Sequence, residues 1–156
     1  MSKIINPKRL KNKATHYLSR YASTEEKLTQ ILLKFSNRKW PESTNEEILK
    51  NIKETVKWCR EKGYVNDYEY MAMKIRSGRL KGHSARQIER NLLIAGLSKS
   101  LVSSELKKEE KSFEKEFKAA IIMAEKKRIG PFSHHPVTDQ TERARQMARL
   151  ARAGYS

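Results

Sequence analysis

Apolar residues recur at every third or fourth position along most of the chain, a spacing that predicts amphipathic α-helices. The first apolar stripe comprises Leu10, Ala14, Tyr17, Leu18 and Tyr21, and the helix that it predicts ends near Ala22. The second comprises Leu28, Ile31, Leu32 and Phe35, and the third comprises Ile48, Ile52, Val56 and Cys59. Later segments show the same spacing, so we expect helices over nearly the whole chain.

Polar residues at the starts of these stripes predict where the helices begin. Residues 23–26 (STEE) and 44–47 (TNEE) each match a capping box, in which the first and fourth residues exchange hydrogen bonds across the first turn. Further helix starts are predicted at Asn66 or Asp67, at Ser84 with Gln87, and at Ser98. Gly63 is expected to end the third helix, because glycine readily adopts the left-handed conformation found there.

The same turn occurs twice, as Ala-Gly-Leu-Ser at residues 95–98 and as Ala-Gly-Tyr-Ser at residues 153–156. In each, glycine ends one helix and serine starts the next. Units of this size cannot bury their apolar faces alone, so they stack into an elongated array. We predict an all-α array of three-helix repeats with boundaries at 1–62, 63–110 and 111–156. Ser156 should then cap a helix that is absent, and the last repeat stops one helix short.

The net charge narrows the class of partner. The chain carries 34 Lys and Arg against 18 Asp and Glu, a formal charge of +16 over 156 residues. Such a field favours binding to nucleic acid, to a nucleoprotein or to an anionic membrane. A membrane surface is the least favoured of these, because the basic residues are spread over many short helices instead of one strongly amphipathic segment.

The sequence predicts a cytoplasmic protein. No stretch approaches the roughly 20 apolar residues that span a bilayer, and the first residues lack the apolar core of a signal peptide. The one cysteine, Cys59, agrees with a reducing compartment and excludes an internal disulfide.

Two groups of basic residues are candidates for contact with an acidic partner. The first group comprises Arg76, Arg79, Lys81, Arg86 and Arg90, and the second comprises Lys126, Lys127, Arg128, Arg145, Arg149 and Arg152. Stacked repeats would align both groups into one stripe. For any single residue, solvation of a helix face or of a helix C-terminus is the preferred interpretation. For the whole set, a charge of +16 favours binding.

The chain lacks a constellation typical of catalysis. It has no Gly-rich phosphate loop and no nucleophile with an evident base, so we expect neither an enzyme nor a cofactor. His134 and His135 read as a polar loop, not a metal site, because no Cys or carboxylate stands at ligand spacing. Cys59 lies on an apolar stripe and is interpreted as a core residue.

The aromatic residues have two interpretations. Trp40 and Trp58 are suitable for stacking on nucleic-acid bases, but packing at helix junctions is the more common role and is preferred here. Tyr64, Tyr68 and Tyr70 are likewise interpreted as residues of the interface between repeats.

Several segments, taken in order and spacing, resemble the RecX family of recombinase regulators. They are YLSR at 17–20, STEEKL at 23–28, GYVND at 63–67, RLKG at 79–82, IERNLLIAGL at 88–97, KKRIGPF at 126–132 and ARLARAGYS at 148–156. Each segment alone is a common helical pattern, and their order and spacing carry the specificity. The resemblance covers nearly the whole chain.

The resemblance implies a monomeric, non-enzymatic modulator of RecA, built as a curved array of three-helix repeats. Proteins of this family bind along the groove of the RecA filament on single-stranded DNA and restrain its ATPase, strand-exchange and coprotease activities, which act in DNA repair and the SOS response. The alternative is a basic helical module that binds nucleic acid without sequence preference. Affinity of such a module would fall steeply with salt.

Two departures from the family pattern lead to structural expectations. Residues 36–39 (SNRK) stand where the family has a Gly-ended turn, so we expect a longer basic loop between Phe35 and Trp40. The absent last helix is expected to leave the inner face of the third repeat, including Phe117, Ile121 and Met147, partly uncovered.

Overall fold

The computed structural model describes residues 4–108, 112–133 and 139–155. Within these ranges the chain forms eight α-helices and one short 3₁₀ turn, Gly130–Phe132, and no strand. The helices are α1 (Pro7–Arg20), α2 (Glu25–Lys39), α3 (Asn45–Glu61), α4 (Asp67–Leu80), α5 (Ala85–Ile94), α6 (Lys99–Lys107), α7 (Ser112–Lys127) and α8 (Gln140–Arg152). The prediction of an all-α protein is confirmed.

Contacts divide the chain into two compact units. The first unit comprises the described residues up to Tyr70 together with Ala95–Leu97. The second comprises Met71–Ile94 and the described residues from Ser98 onward. The division into three repeats at 1–62, 63–110 and 111–156 stays a prediction.

The core of the first unit lies between α1, α2 and α3 and follows the predicted stripes. Its buried residues include Leu10, Ala14, Leu28, Leu32, Ile48, Ile52, Val56 and Cys59. Trp40 is 4% exposed and packs edge-on against Phe35 with ring centroids 5.6 Å apart, as expected for a residue at a helix junction. Tyr21 is 57% exposed, because α1 already ends at Arg20.

The predicted start of α2 is wrong by one residue. The N-cap is Thr24, whose hydroxyl accepts a hydrogen bond from the Lys27 amide at 3.2 Å. The Ser23 hydroxyl instead donates to the Thr24 carbonyl, and the Glu26 carboxylate accepts from Gln30. Thr24 is preferred as the cap because its hydroxyl also donates to the carbonyl of Ala95, a partner that the local pattern does not reveal.

The expected basic loop at residues 36–39 is also wrong, because these residues form the last turn of α2. Ser36 is fully buried there, and the Trp40 amide donates to the Ser36 carbonyl at 2.8 Å. No glycine or proline interrupts the helix before Pro41. The break comes at Trp40, where the following proline disfavours helical geometry.

The N-caps predicted for α3, α5 and α6 are confirmed. Thr44, Ser84 and Ser98 each accept a bond from the amide three residues on. Of the two candidates at the start of α4, Asn66 is the cap, accepting from the Glu69 amide. Asp67 accepts instead from the Glu25 amide at 2.9 Å, in the first turn of α2.

The second unit buries Met71, Ile88, Leu92, Val102 and Ala119. A groove of about 530 Å³ in this unit is lined by apolar residues of α7 and α8, among them Phe117, Ala120 and Met147. Phe117 is 55% exposed, Met147 64% and Ile121 39%. The expectation that these three side chains are partly uncovered is therefore confirmed.

Candidate basic interaction surface

Arg79, predicted to face a partner, lies inside the second unit. Its side chain is only 12% exposed and forms an ion pair with Glu116 of α7. It also donates to the His83 carbonyl. The same Glu116 oxygen accepts the Ala85 amide at 3.0 Å, at the first residue of α5. Arg79 therefore joins α4, α7 and the start of α5. Direct contact between Arg79 and a partner stays a prediction.

Two other predicted residues neutralise the carbonyl ends of helices. Lys126 donates to the carbonyl of Lys81, just after α4, at 3.1 Å. Arg149 of α8 donates to the carbonyl of Lys127, the last residue of α7, at 3.1 Å. Cations are favourable at these positions because the helix dipole is negative there. Their placement agrees with the interpretation preferred for single residues.

The remaining predicted residues are exposed. They are Arg76, Lys81, Arg86, Arg90, Lys127, Arg128, Arg145 and Arg152. Arg145 lies 3.6 Å from Glu142, an exposed pair of the kind that contributes little stability. Arg86 and Arg90 form no ion pair with any residue that the structure describes. Because they stand four apart on α5, they share one face of that helix.

The two basic groups meet within the second unit. The bond from Lys126 to the Lys81 carbonyl joins the end of α7 to the end of α4. The other point of approach is the turn after α8, since a Cβ placed on Gly154 would lie 3.2 Å from Cβ of Arg86. Parts of both groups therefore share a surface, although alignment of all of them into one stripe stays a prediction.

His83 lies near Lys81 and Lys126, and its surroundings disfavour the protonated imidazole. Partial burial, together with the positive charges of Lys81 and Lys126, lowers the pKa of His83 below its ordinary value. Protonation of the imidazole is disfavoured because it would add a third cation there.

The two Ala-Gly turns are held in the same way, and sequence reasoning missed this. In the first unit the Thr24 hydroxyl donates to the Ala95 carbonyl, and in the second the Ser84 hydroxyl donates to the Ala153 carbonyl at 2.8 Å. Each donor is also the N-cap of a helix. In each case an acidic side chain also accepts a hydrogen bond from the amide of the first helical residue. This side chain is Asp67 for α2 and Glu116 for α5. A hydroxyl cap paired with a later Ala-Gly turn is the signal that points to this contact.

Tyr155 holds the second Ala-Gly turn, at residues 153–154, in place. Its hydroxyl donates to the Gly82 carbonyl at 2.6 Å, and the residue is 7% exposed. Burial, followed by the charge of Glu116, raises the pKa of Tyr155 to about 12, against the opposing effect of Arg79. The neutral phenol is thus the form that the folded protein holds.

Tyr155 should make the second unit sensitive to alkali. Because its pKa in the folded state lies above the unfolded value near 10, its contribution is complete below pH 10 and is lost between pH 10 and about 12. We expect the free energy of unfolding to fall in this window by roughly 2 kcal/mol more in the wild type than in Tyr155→Phe. Urea unfolding at a series of pH values measures it. Parallel pH curves for the two proteins would contradict the assignment.

The other residues considered for chemistry are Cys59, His134 and His135. Burial raises the pKa of the Cys59 thiol, despite the opposing charge of Lys11, so Cys59 is a core residue as predicted. Nowhere in the described ranges do three His, Cys, Asp or Glu side chains come close enough to hold a metal ion. His134 and His135 lie outside the described residues. Among the described helices, none has the length and apolarity that crossing a membrane requires.

Comparison with known proteins gives similarity over nearly the whole chain. No protein-family model matches it. The Regulatory protein RecX of Myxococcus xanthus is 36% identical over 154 residues, which are 97% of this chain and 82% of the relative. The Regulatory protein RecX of Agrobacterium fabrum is 23% identical over 146 residues, covering 94% and 76%. That of Vibrio vulnificus is 30% identical over 106 residues, covering 68% and 65%.

Proposed function

Because the chain belongs to the RecX family of regulatory proteins, we propose that it binds the RecA filament on single-stranded DNA. In this proposal it inhibits the recombinase, ATPase and coprotease activities of the filament, and acts in the cytoplasm in DNA repair and the SOS response. It acts by binding alone, without catalysis or a cofactor. Action by binding alone agrees with the names of its relatives, which are regulatory proteins.

The observation that carries the proposal is the α5 face, which we define as Arg86, Arg90 and Ile94. The two arginines are exposed and Ile94 is 73% exposed. Residues four apart on a helix line one side of it, so the three side chains form a single row. A row of two cations followed by an apolar side chain suits a protein surface that carries both carboxylates and an apolar patch. A phosphate backbone would match only the cations.

The proposed mechanism is steric and electrostatic. The basic second unit meets the acidic surface of the nucleoprotein, and its bulk lies across neighbouring RecA subunits. Subunits held in this way cannot rearrange during the ATPase cycle, or cannot accept the next subunit. Charge complementarity accelerates encounter, and close apolar contact lengthens the lifetime of the complex.

The proposal is tested by the single-stranded-DNA-dependent ATPase of the cognate RecA, titrated with this protein. Binding to the same DNA without RecA is measured in parallel at the same salt concentration. We expect inhibition at concentrations that leave naked DNA largely unbound. Inhibition only where the protein saturates the DNA would instead identify a sequence-nonspecific nucleic-acid-binding module. Absence of inhibition would reject the regulator.

His83 offers a local reporter of the binding event. An anionic surface placed at Lys81 and Lys126 would offset the two charges that lower the pKa of His83. Burial under the filament would act in the opposite direction, so we expect the pKa of His83 to shift when the filament binds, as followed by the imidazole proton resonances. In Lys126→Met the pKa of His83 in the unbound protein should be higher, because one of the two neighbouring charges is removed. A His83 pKa that is unchanged at saturation would place the contact elsewhere.

A further inference from the structure

The first unit carries a partly exposed cluster of one lysine and two aromatic rings, formed by Lys11, Trp58 and Tyr64. The Tyr64 ring meets Trp58 edge-on, with centroids 5.5 Å apart and planes at 75°. The ammonium of Lys11 lies 4.9 Å from the centroid of the Trp58 ring. Tyr64 is 50% exposed, and Trp58 is half-buried. The cluster therefore presents a half-exposed tyrosine ring that contacts Trp58, and Trp58 in turn contacts a lysine.

The end of α3 explains how Tyr64 reaches this position. Gly63 has a φ of 75°, and the Tyr64 amide donates to the Cys59 carbonyl at 2.8 Å. The chain thus folds back, and Tyr64 contacts the last turns of its own helix. An apolar contact at this place commonly accompanies a helix that ends in glycine.

That local role does not require this set of residues. A leucine at position 64 would make the same apolar contact, and it would not offer a flat ring to solvent. The interface role predicted for Tyr64 needs burial, but half of the side chain is exposed. Lys62 is exposed next to this turn and forms no ion pair within the described part of the chain. The accessible ring of Tyr64 is thus accompanied by two cations. Lys11 contacts Trp58 in the structure, and Lys62 is two residues before Tyr64 in the sequence.

We propose that this cluster binds single-stranded nucleic acid, with a base stacked on Tyr64 and a phosphate next to the Lys11 ammonium. Proteins that bind single strands without sequence preference combine aromatic platforms with cations in this way, because every base has a π-face. Trp40, the other tryptophan, is buried and is not available for stacking. The edge-on contact with Trp58 limits the movement of the Tyr64 ring.

The assignment goes beyond filament binding. The basic residues considered above all belong to the second unit, whereas Lys11, Trp58 and Tyr64 belong to the first. The cluster would contact the bases of a nucleic acid, whereas the α5 face is suited to contact with a protein surface. The proposal concerns naked single strands and does not depend on RecA.

Fluorescence of the full chain tests it directly. A short oligothymidylate is titrated into the protein at low salt, and tryptophan emission and the anisotropy of a labelled oligonucleotide are recorded together. Because Trp40 is 4% exposed, a change on binding reports Trp58. We expect quenching that follows binding. Tyr64→Leu should lose the quenching and about tenfold or more in affinity, since it keeps the apolar contact without the ring.

Three further variants complete the test. Tyr64→Phe should bind as the wild type does. Tyr68→Leu, which removes a tyrosine that is 62% exposed and outside the cluster, should also leave binding unchanged. Lys11→Met should reduce the dependence of affinity on salt by about one phosphate contact. The proposal is overturned if folded Tyr64→Leu binds like the wild type, if Tyr68→Leu loses as much affinity, or if the wild type does not bind the oligonucleotide.

Discussion

Replacing Gly82 by alanine is expected to destabilise the second unit by about 2–5 kcal/mol. Gly82 has a φ of +83°, and a Cβ there would lie 2.9 Å from the Met123 amide nitrogen and 3.0 Å from the Ala119 carbonyl oxygen. Both are backbone atoms of α7, so they cannot rotate away as the end of a side chain would. Separation of α7 from the end of α4 would also break the bond between Lys126 and the Lys81 carbonyl.

Gly63 provides the matched control for this substitution. It has a φ of +75°, and a Cβ there would meet nothing within 4 Å. Gly63→Ala therefore measures backbone strain alone, about 1 kcal/mol. The excess in Gly82→Ala measures the close packing of α7. Urea unfolding of both variants separates the two contributions, and equal losses would mean that α7 does not approach Gly82 so closely in solution.

Reversing the charge of Arg86 and Arg90 together should weaken inhibition of the RecA ATPase by about 10- to 100-fold at moderate salt. Both side chains are exposed and without an ion-pair partner in the described ranges, so Arg86→Glu with Arg90→Glu breaks no observed contact. Repulsion from an acidic partner replaces attraction, and the concentration that gives half-maximal inhibition rises. The effect should shrink as salt increases, because exposed charges are screened.

The control keeps the same change in net charge. Lys99 and Lys107 are exposed on α6, outside both basic groups, and Lys99→Glu with Lys107→Glu shifts the charge of the chain equally. We expect this variant to inhibit nearly as the wild type does. Equal loss in the two double variants would assign the effect to overall charge and would remove the special role of the α5 face.

The elements of the fold that depend on neighbours in sequence could be predicted. The stripe Ile48, Ile52, Val56 and Cys59 is buried, since helical periodicity by itself states which face is apolar. The caps at Thr44, Ser84 and Ser98 were also readable, since the residue that accepts the bond and the amide that donates it are three apart.

Features that depend on distant partners could not be read in this way. Thr24 is the cap of α2 in place of Ser23 because its hydroxyl meets the carbonyl of Ala95. Arg79 lies between Arg76 and Lys81 in a basic segment, but its side chain is turned toward Glu116 of α7. In both cases the deciding partner lies more than 30 residues away, and its position depends on how whole helices pack.

For the candidate site, the sequence identified two groups of basic residues, and the structure shows which of them have partners within the protein. Lys126 and Arg149 complete helix ends, while Arg86 and Arg90 are left without partners among the described residues. A list of positive charges does not distinguish these two roles. They differ only in whether a carbonyl or a carboxylate stands within reach.

The contribution of Ala95–Leu97 to the first unit has a consequence for synthesis of the chain. Ala95 is 2% exposed and Leu97 is 5% exposed. The Ala95 carbonyl accepts a hydrogen bond from the Thr24 hydroxyl. A ribosome that has translated to Tyr70 must add some two dozen further residues before this partner exists, which takes about one to five seconds. Until then, the surface of the first unit that Leu97 covers in the folded protein is open to water, chaperones and proteases. Maturation of the amino-terminal unit is thus timed by translation of the unit that follows it.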